Sequence, residues 1–214
     1  MQKIGVLGSG VVGKTLADAF LALGHDVMRG SRDVAKLADW KATAGAKART
    51  GTFADAAAFG DVLVLAVKGN VAEEALSPCG DALKGKVILD ATNPIADAAP
   101  TAGVLKFFTN LDESLMERLQ KRFPEARFVK AFSCVGNAFM FKPDFGGQKP
   151  TMFICGNDAS AKADATNILT SFGWDTEDMG EAPAARAIEP LCMLWCIPGL
   201  RGGSWSHAFK LLKK

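Results

Sequence analysis

Hydrophobic positions along this chain follow two alternating patterns. Short apolar runs such as Lys3-Ile4-Gly5-Val6-Leu7 and Asp61-Val62-Leu63-Val64-Leu65-Ala66-Val67 are continuous, as in strands buried on both faces. Between such runs, apolar residues return at three- and four-residue spacing. Val12, Leu16, Phe20 and Leu23 line one face of a helix, which Gly24 ends as a left-handed cap. Further strands are predicted at His25–Met28, Lys47–Gly51 (weakly), Lys86–Asp90, Arg127–Ala131, Thr151–Cys155 and Trp174–Asp178. Helices are predicted at Val34–Ala44, Val71–Cys79, Ser114–Phe123, Ala159–Phe172, Ala184–Ile197 and Trp205–Leu212. Pro190 should kink the penultimate helix or start a new one. This alternation argues for the α/β class, a doubly wound and mostly parallel sheet with helices on both faces. Residues 1–132 form the expected core, and 133–214 a small helical C-terminal extension with two further strands.

The first strand runs straight into Gly8-Ser9-Gly10-Val11-Val12-Gly13 and the helix begins at once. In that strand–turn–helix setting the three glycines have separate tasks, which is the fingerprint of a Rossmann-type dinucleotide site. Gly8 permits the tight turn, Gly10 lets backbone approach a pyrophosphate, and Gly13 lets the helix pack on the sheet. The free amides at the helix start favour phosphate charge. His25 reads as a polar turn residue.

The end of the second strand selects the dinucleotide. An NAD site places Asp or Glu there for the ribose 2′-hydroxyl. This chain has Arg29-Gly30-Ser31-Arg32-Asp33, with Lys36 one turn beyond Arg32. Ser31, Arg32 and Lys36 suit a 2′-phosphate, so NADP(H) is expected over NAD(H). Asp33 lies past the strand end, where it can cap the next helix.

Composition narrows the partners. The 214 residues are 49% hydrophobic with a net charge of +2 and no long run of one sign, so nucleic acid is not expected. No apolar segment approaches the ~20 residues of a membrane span. The first strand begins at residue 2 or 3, so no signal peptide is expected and the cytoplasm is the default. Five cysteines (79, 134, 155, 192, 196) show no metal-ligand spacing, and two histidines exclude a histidine-rich metal site. Cys192 and Cys196 read as buried small hydrophobes.

In a doubly wound sheet, ligands lie beyond the carboxyl ends of the strands. Val67 and Lys68 should approach the adenosine side and the pyrophosphate. Asn93, Pro94, Ala131, Ser133 and Cys134 should approach the nicotinamide and the group that exchanges hydride with it. Pro94 holds Asn93 extended, so its amide can bond a carboxamide or a water; a plain Asn-Pro turn is the alternative. Arg186 and Glu189, three apart, are expected to pair along their helix. No nucleophile–base pair or acid–base dyad can be assembled, and Lys68 and His207 are the only weak candidates for a base. Hydride transfer between two rigid rings needs positioning more than proton transfer. The segment Pro94–Asn110 has a loose pattern, as a mobile loop would. Phe139–Phe145 is aromatic and fits a substrate cover, a dimer contact or plain core packing.

Taken together, these residues resemble the NADPH-dependent deazaflavin (coenzyme F420) reductases. The matching pieces are Gly8–Gly13, Leu23-Gly24-His25, Gly30-Ser31-Arg32 with Lys36, Asp90-Ala91-Thr92-Asn93-Pro94, Val129-Lys130-Ala131-Phe132, and Ala185–Leu191 with Leu194-Trp195. The resemblance implies an NADP-dependent oxidoreductase with a deazaflavin or flavin as small-molecule hydride partner. The apolar C-terminal helices and Phe139–Phe145 suggest a homodimer. Ser133-Cys134 departs from the Asn-Thr common in that family and borders the acceptor position. A reductase of small carbonyl or imine compounds, and a non-catalytic NADPH sensor, are the alternatives.

Overall fold

The computed structural model describes residues 1–214. Six strands, β1 (Lys3–Leu7), β2 (Asp26–Gly30), β3 (Ala48–Gly51), β4 (Val62–Leu65), β5 (Val87–Asp90) and β6 (Arg127–Lys130), form one sheet in the order 3-2-1-4-5-6. Every pairing in it is parallel. The strand order reverses between β1 and β4, which opens a crevice at the carboxyl edge of the sheet.

Side chains alternate across the sheet with the two-residue period of a strand. Ile4, Val6, Val64 and Leu89 face one buried cluster, with Leu16 and Phe20 of α1 (Val11–Ala22) and Trp40 of α2 (Ala38–Thr43). Leu7, Leu63, Leu65 and Ile88 face the other, with Leu76 of α4 (Ala72–Leu76), Leu119 of α5 (Leu115–Arg122) and Ile188. Both faces are covered, which explains the continuous apolar runs.

Helix α3 (Phe53–Phe59) was absent from the sequence expectation. Its buried residues are the alanines Ala56 and Ala57, and its large apolar residues, Phe53 and Phe59, stand only at its two ends, so no three- and four-residue apolar repeat marks it. The signal that was available is its capping box: the Thr52 hydroxyl accepts from Asp55 N, and the Asp55 carboxylate accepts from Thr52 N.

Residues 133–214 add β7 (Thr151–Ile154) and β8 (Asp175–Asp178), which pair in parallel, with α6 (Ala159–Ser171) between them. An antiparallel bridge joins Lys130 to Cys155 and sets this unit beside β6. Phe141 packs edge-on against Phe172, and Trp174 Nε1 donates to Met140 O, so much of Phe139–Phe145 is core packing. The segment after Pro94 folds back as a small hairpin, with Ile95 bridged to Phe107.

At the C-terminus one expectation is narrowed and another is corrected. Pro190 starts no new helix, since α7 runs from Ala185 to Gly202 with both Pro190 and Pro198 inside it. The helix expected at Trp205–Leu212 does not form. Gly203 ends α7 in the left-handed region, and the chain then runs beside β7, where Phe209 O accepts from Thr151 N. The free edge of β7 supplies backbone partners that outweigh the helical spacing of the tail's apolar residues.

Candidate functional site

A cleft of about 690 Å³ opens where the strand order reverses. Its floor is the glycine turn, represented by Ser9 and Gly10. One wall holds Ser31, Arg32 and Lys36 from the end of β2, and the other holds Val67 and Lys68 from the end of β4. Val67 and Lys68 also line a second cavity of about 610 Å³, which continues past β5 to Ala91, Asn93 and Ile95. The two cavities thus form one groove along the carboxyl ends of β2, β1, β4 and β5.

The turn is shaped for backbone recognition. Gly8 has φ +154°, and a Cβ there would lie 2.2 Å from Ala66 O. A Cβ on Gly10 would meet no atom within 4 Å. It would project into open space, the space a pyrophosphate needs for close approach. Gly10 is the N-cap of α1 with no side-chain hydrogen bond, so amides at the helix start remain free for an anion. Val11 is exposed at that end, Val12 is half-buried, and Gly13 is buried in the first turn.

Ser31 is buried, and its Oγ accepts from Asp33 N at 3.2 Å. Arg32 and Lys36 are exposed at the cleft. Arg32 Nη1 donates to Glu74 Oε1 at 2.7 Å, so the guanidinium reaches a carboxylate of α4. Asp33 caps the 3₁₀ turn Val34–Leu37 by accepting from Ala35 N, as its position predicted.

At the other end, Asn93 Nδ2 donates to Ser133 O at 2.9 Å, while Asn93 Oδ1 is buried and has no partner. Pro94 is buried behind it. Of the five residues expected at this end only Asn93 lines a cavity; Pro94, Ala131, Ser133 and Cys134 line neither, and nor do Gly8, Val11, Val12 and Gly13 of the glycine turn. Ala131 is sealed in the sheet edge, its N–H donating to Asp90 O. Ser133 is buried and touches the site through its backbone carbonyl, and its hydroxyl has no partner. Cys134 is buried, and burial pushes its thiol up to about 12, which removes it as a nucleophile.

The two weak base candidates separate. Lys68 is exposed on both cavities. His207 lies on the C-terminal tail, stacked on Trp195, with Nε2 2.8 Å from Trp195 O, and plays a packing role. His25 accepts from Gln2 N in its turn. Arg186 and Glu189 do not pair with each other: Arg186 binds Glu117 of α5, and Glu189 reaches the interior.

That interior holds a group the sequence pattern did not reveal. Lys130, fully buried, forms ion pairs with Asp90 Oδ2 at 2.7 Å and Glu189 Oε1 at 2.9 Å, and donates to Thr92 O. Burial works against its charge, but the two carboxylates outweigh it and raise the lysine's pKa. Glu189 also accepts from the N–H groups of Leu115 and Met116 at the start of α5. Asp90 Oδ1 accepts from Thr92 N and Oγ1. The network therefore fixes the residues immediately before Asn93. A lone lysine at the end of a buried strand was the available signal.

A family model described as NADP oxidoreductase, coenzyme F420-dependent, matches residues 3–94, from β1 to the Asn93-Pro94 turn. A solved structure from Arthrobacter sp. FB24, provisionally named an F420-dependent NADP reductase, is 33% identical, covers 100% of both chains and superposes with a TM-score of 0.93. The metalloreductase STEAP3 of Rattus norvegicus is 29% identical over 205 residues, 92% of this chain and 38% of that protein. The F420-dependent NADP reductase of Methanocaldococcus jannaschii is 29% identical over 141 residues, 65% of this chain and 62% of that one. This chain thus spans less than two thirds of the length of either curated relative. With the glycine turn, the end of β2 and the full-length structural match in agreement, the chain belongs to the coenzyme F420-dependent NADP oxidoreductases.

Proposed function

We propose that this protein is an NADPH-dependent oxidoreductase whose second substrate is a flat deazaflavin or flavin. The observation that carries the reading is the groove itself. One end presents Ser31, Arg32 and Lys36, and the other presents the unpartnered Asn93 Oδ1, with the open Gly10 turn between them. Bound NADPH supplies the hydride at its nicotinamide ring. Arg32 and Lys36 hold the 2′-phosphate, the α1 amides hold the pyrophosphate, and Asn93 Oδ1 accepts from the carboxamide.

The far cavity supports an acceptor that needs no proton from the protein. Ala91, Ile95, Ala96, Ala98 and Ala99 make much of its lining, and its titratable side chains, Lys68 and Asp97, are both exposed. What these residues do is position and exclude water. The similarity to the Methanocaldococcus F420-dependent NADP reductase, and to the Arthrobacter protein provisionally given that name, supports deazaflavin first.

The test is to follow NADPH absorbance with deazaflavin, flavin mononucleotide, flavin adenine dinucleotide and quinones offered separately, for the wild type and Arg32→Ala. Oxidation by deazaflavin or a flavin, with a ten- to hundredfold weaker NADPH affinity in Arg32→Ala and little change for NADH, is the expected result. Tight NADPH binding with no oxidation by any acceptor would replace the enzyme with a binding protein.

A further inference from the structure

Arg29 stands in the middle of the site's scaffold, and the proposed reaction gives it no task. It sits on β2 and is only 2% exposed. Its Nη2 donates to both Gly8 O and Gly10 O at 3.2 Å, the two carbonyls that flank Ser9 in the glycine turn. Its guanidinium lies 4.9 Å from the Trp40 ring centroid. Trp40 is fixed in turn, its Nε1 donating to Asp18 Oδ1, and Asp18 Oδ2 accepts from Lys14.

What Arg29 lacks is a counter-charge. It forms no ion pair with any carboxylate, and its Nε is buried without a partner. Asp18, the acid whose charge acts on it, is committed to Trp40 and Lys14. Burial pulls the pKa of Arg29 down and Asp18 counters only in part, yet a guanidinium stays protonated in any protein environment. A buried cation without an anion is costly, and such a group points to a missing partner.

Its position says which partner. The guanidinium engages the turn's carbonyls as a donor, Gly10 O being shared with Lys14 N, so that they are not left free to oppose an anion in the groove. It also places a full positive charge directly behind the Gly10 cradle and the start of α1. We propose that Arg29 is a positioning residue for the diphosphate of the bound dinucleotide, supplying both the set of the turn and the charge that the diphosphate neutralises. The inference rests on the dinucleotide reading of the groove, but not on its choice of the 2′-phosphate. Arg29 serves the part common to NADPH and NADH, and Arg32 the part that differs.

The experiment measures the affinities of NADPH, NADH and adenosine 2′-monophosphate for the wild type, Arg29→Met and Arg29→Lys, with a thermal melt of each unliganded protein. The expected result is that Arg29→Met weakens NADPH and NADH by the same factor, tenfold or more, and leaves adenosine 2′-monophosphate within twofold. Arg29→Lys should fall between, because it keeps the charge and loses the fork. A merely structural role would move all three ligands together, and that outcome overturns the proposal. So does unchanged NADPH affinity in a folded Arg29→Met protein. Failure of both variants to fold would assign Arg29 to the fold alone and overturn it too. A wild type that binds both cofactors equally strikes the 2′-phosphate clamp only; a parallel loss of the two in Arg29→Met then still supports the role of Arg29. A wild type that binds neither dinucleotide overturns both.

Discussion

Lys130 Nζ lies 2.9 Å from Glu189 Oε1, with their side chains 0% and 2% exposed. Asp90 makes the same lysine a triad, and two carboxylates against one ammonium leave negative charge in excess. The start of α5 offsets part of it through the Leu115 and Met116 amides. The two partners are therefore not equivalent. Glu189→Gln leaves Lys130 paired with Asp90 and weakens the cap of α5, a loss of about 2 kcal/mol. Lys130→Met leaves two buried carboxylates with no cation, a loss of about 4 kcal/mol. Denaturant unfolding of both variants checks the order, and equal losses would mean that Asp90 does not need the lysine.

Glu74 competes for the proposed phosphate clamp. Its carboxylate holds Arg32 at 2.7 Å, and both side chains are exposed, so the pair is worth at most about 1 kcal/mol. Any 2′-phosphate bound by Arg32 has to replace that contact or share it. Glu74→Gln should tighten NADPH about two- to fivefold and leave NADH unmoved. Titration of both cofactors decides it; a weaker NADPH affinity would make Glu74 part of the site's closure rather than a competitor.

Glu117 gives the protein an acid-dependent tie between α5 and α7. The Arg186 guanidinium holds its carboxyl down to about 2; burial opposes this, and the Ser114 N–H and hydroxyl assist. A carboxyl lowered in the folded state contributes stability above its ordinary value near 4.5, and that contribution fades as pH falls toward 2. Arg186→Met removes the tie. Its urea midpoint should lie below that of the wild type at pH 6, with the gap narrowing steadily at pH 4 and pH 3. A gap that stays constant across this range would show that Arg186 acts through packing.

The sheet and the phosphate end of the site were legible because their signals are local. A strand, a glycine turn and a helix follow within a few residues, and Ser31-Arg32 stands at the turn the fold uses for cofactor choice. The features that escaped depend on tertiary partners. Arg186 and Glu189 have the spacing of a pair on one helix, yet both reach α5 instead, one to its Glu117 and one to its free amides. Arg29 looks like part of a solvated basic turn until its side chain is seen folded under Gly8 and Gly10. The tail from Trp205 has helical spacing, but the open edge of β7 decides its course. Helix α3 is the opposite case, since its capping box is local but its buried face, Ala56 and Ala57, carries no apolar contrast.

Gly10 separates the needs of the fold from the needs of the ligand. Its backbone is extended, with φ −74° and ψ 179°, so an L-residue fits without strain. A Cβ there meets no atom of the protein, whereas one at Gly8 runs into Ala66 O at 2.2 Å. Gly10→Ala should therefore fold and melt within a few degrees of the wild type, losing at most about 1 kcal/mol at the helix cap. Its new methyl group occupies the space kept open above the turn, and NADPH and NADH should both weaken by tenfold or more. Gly8→Ala should instead lower the melting temperature itself. Calorimetric melts and cofactor titrations on the two variants check the contrast; full cofactor affinity in Gly10→Ala would move the diphosphate away from this turn.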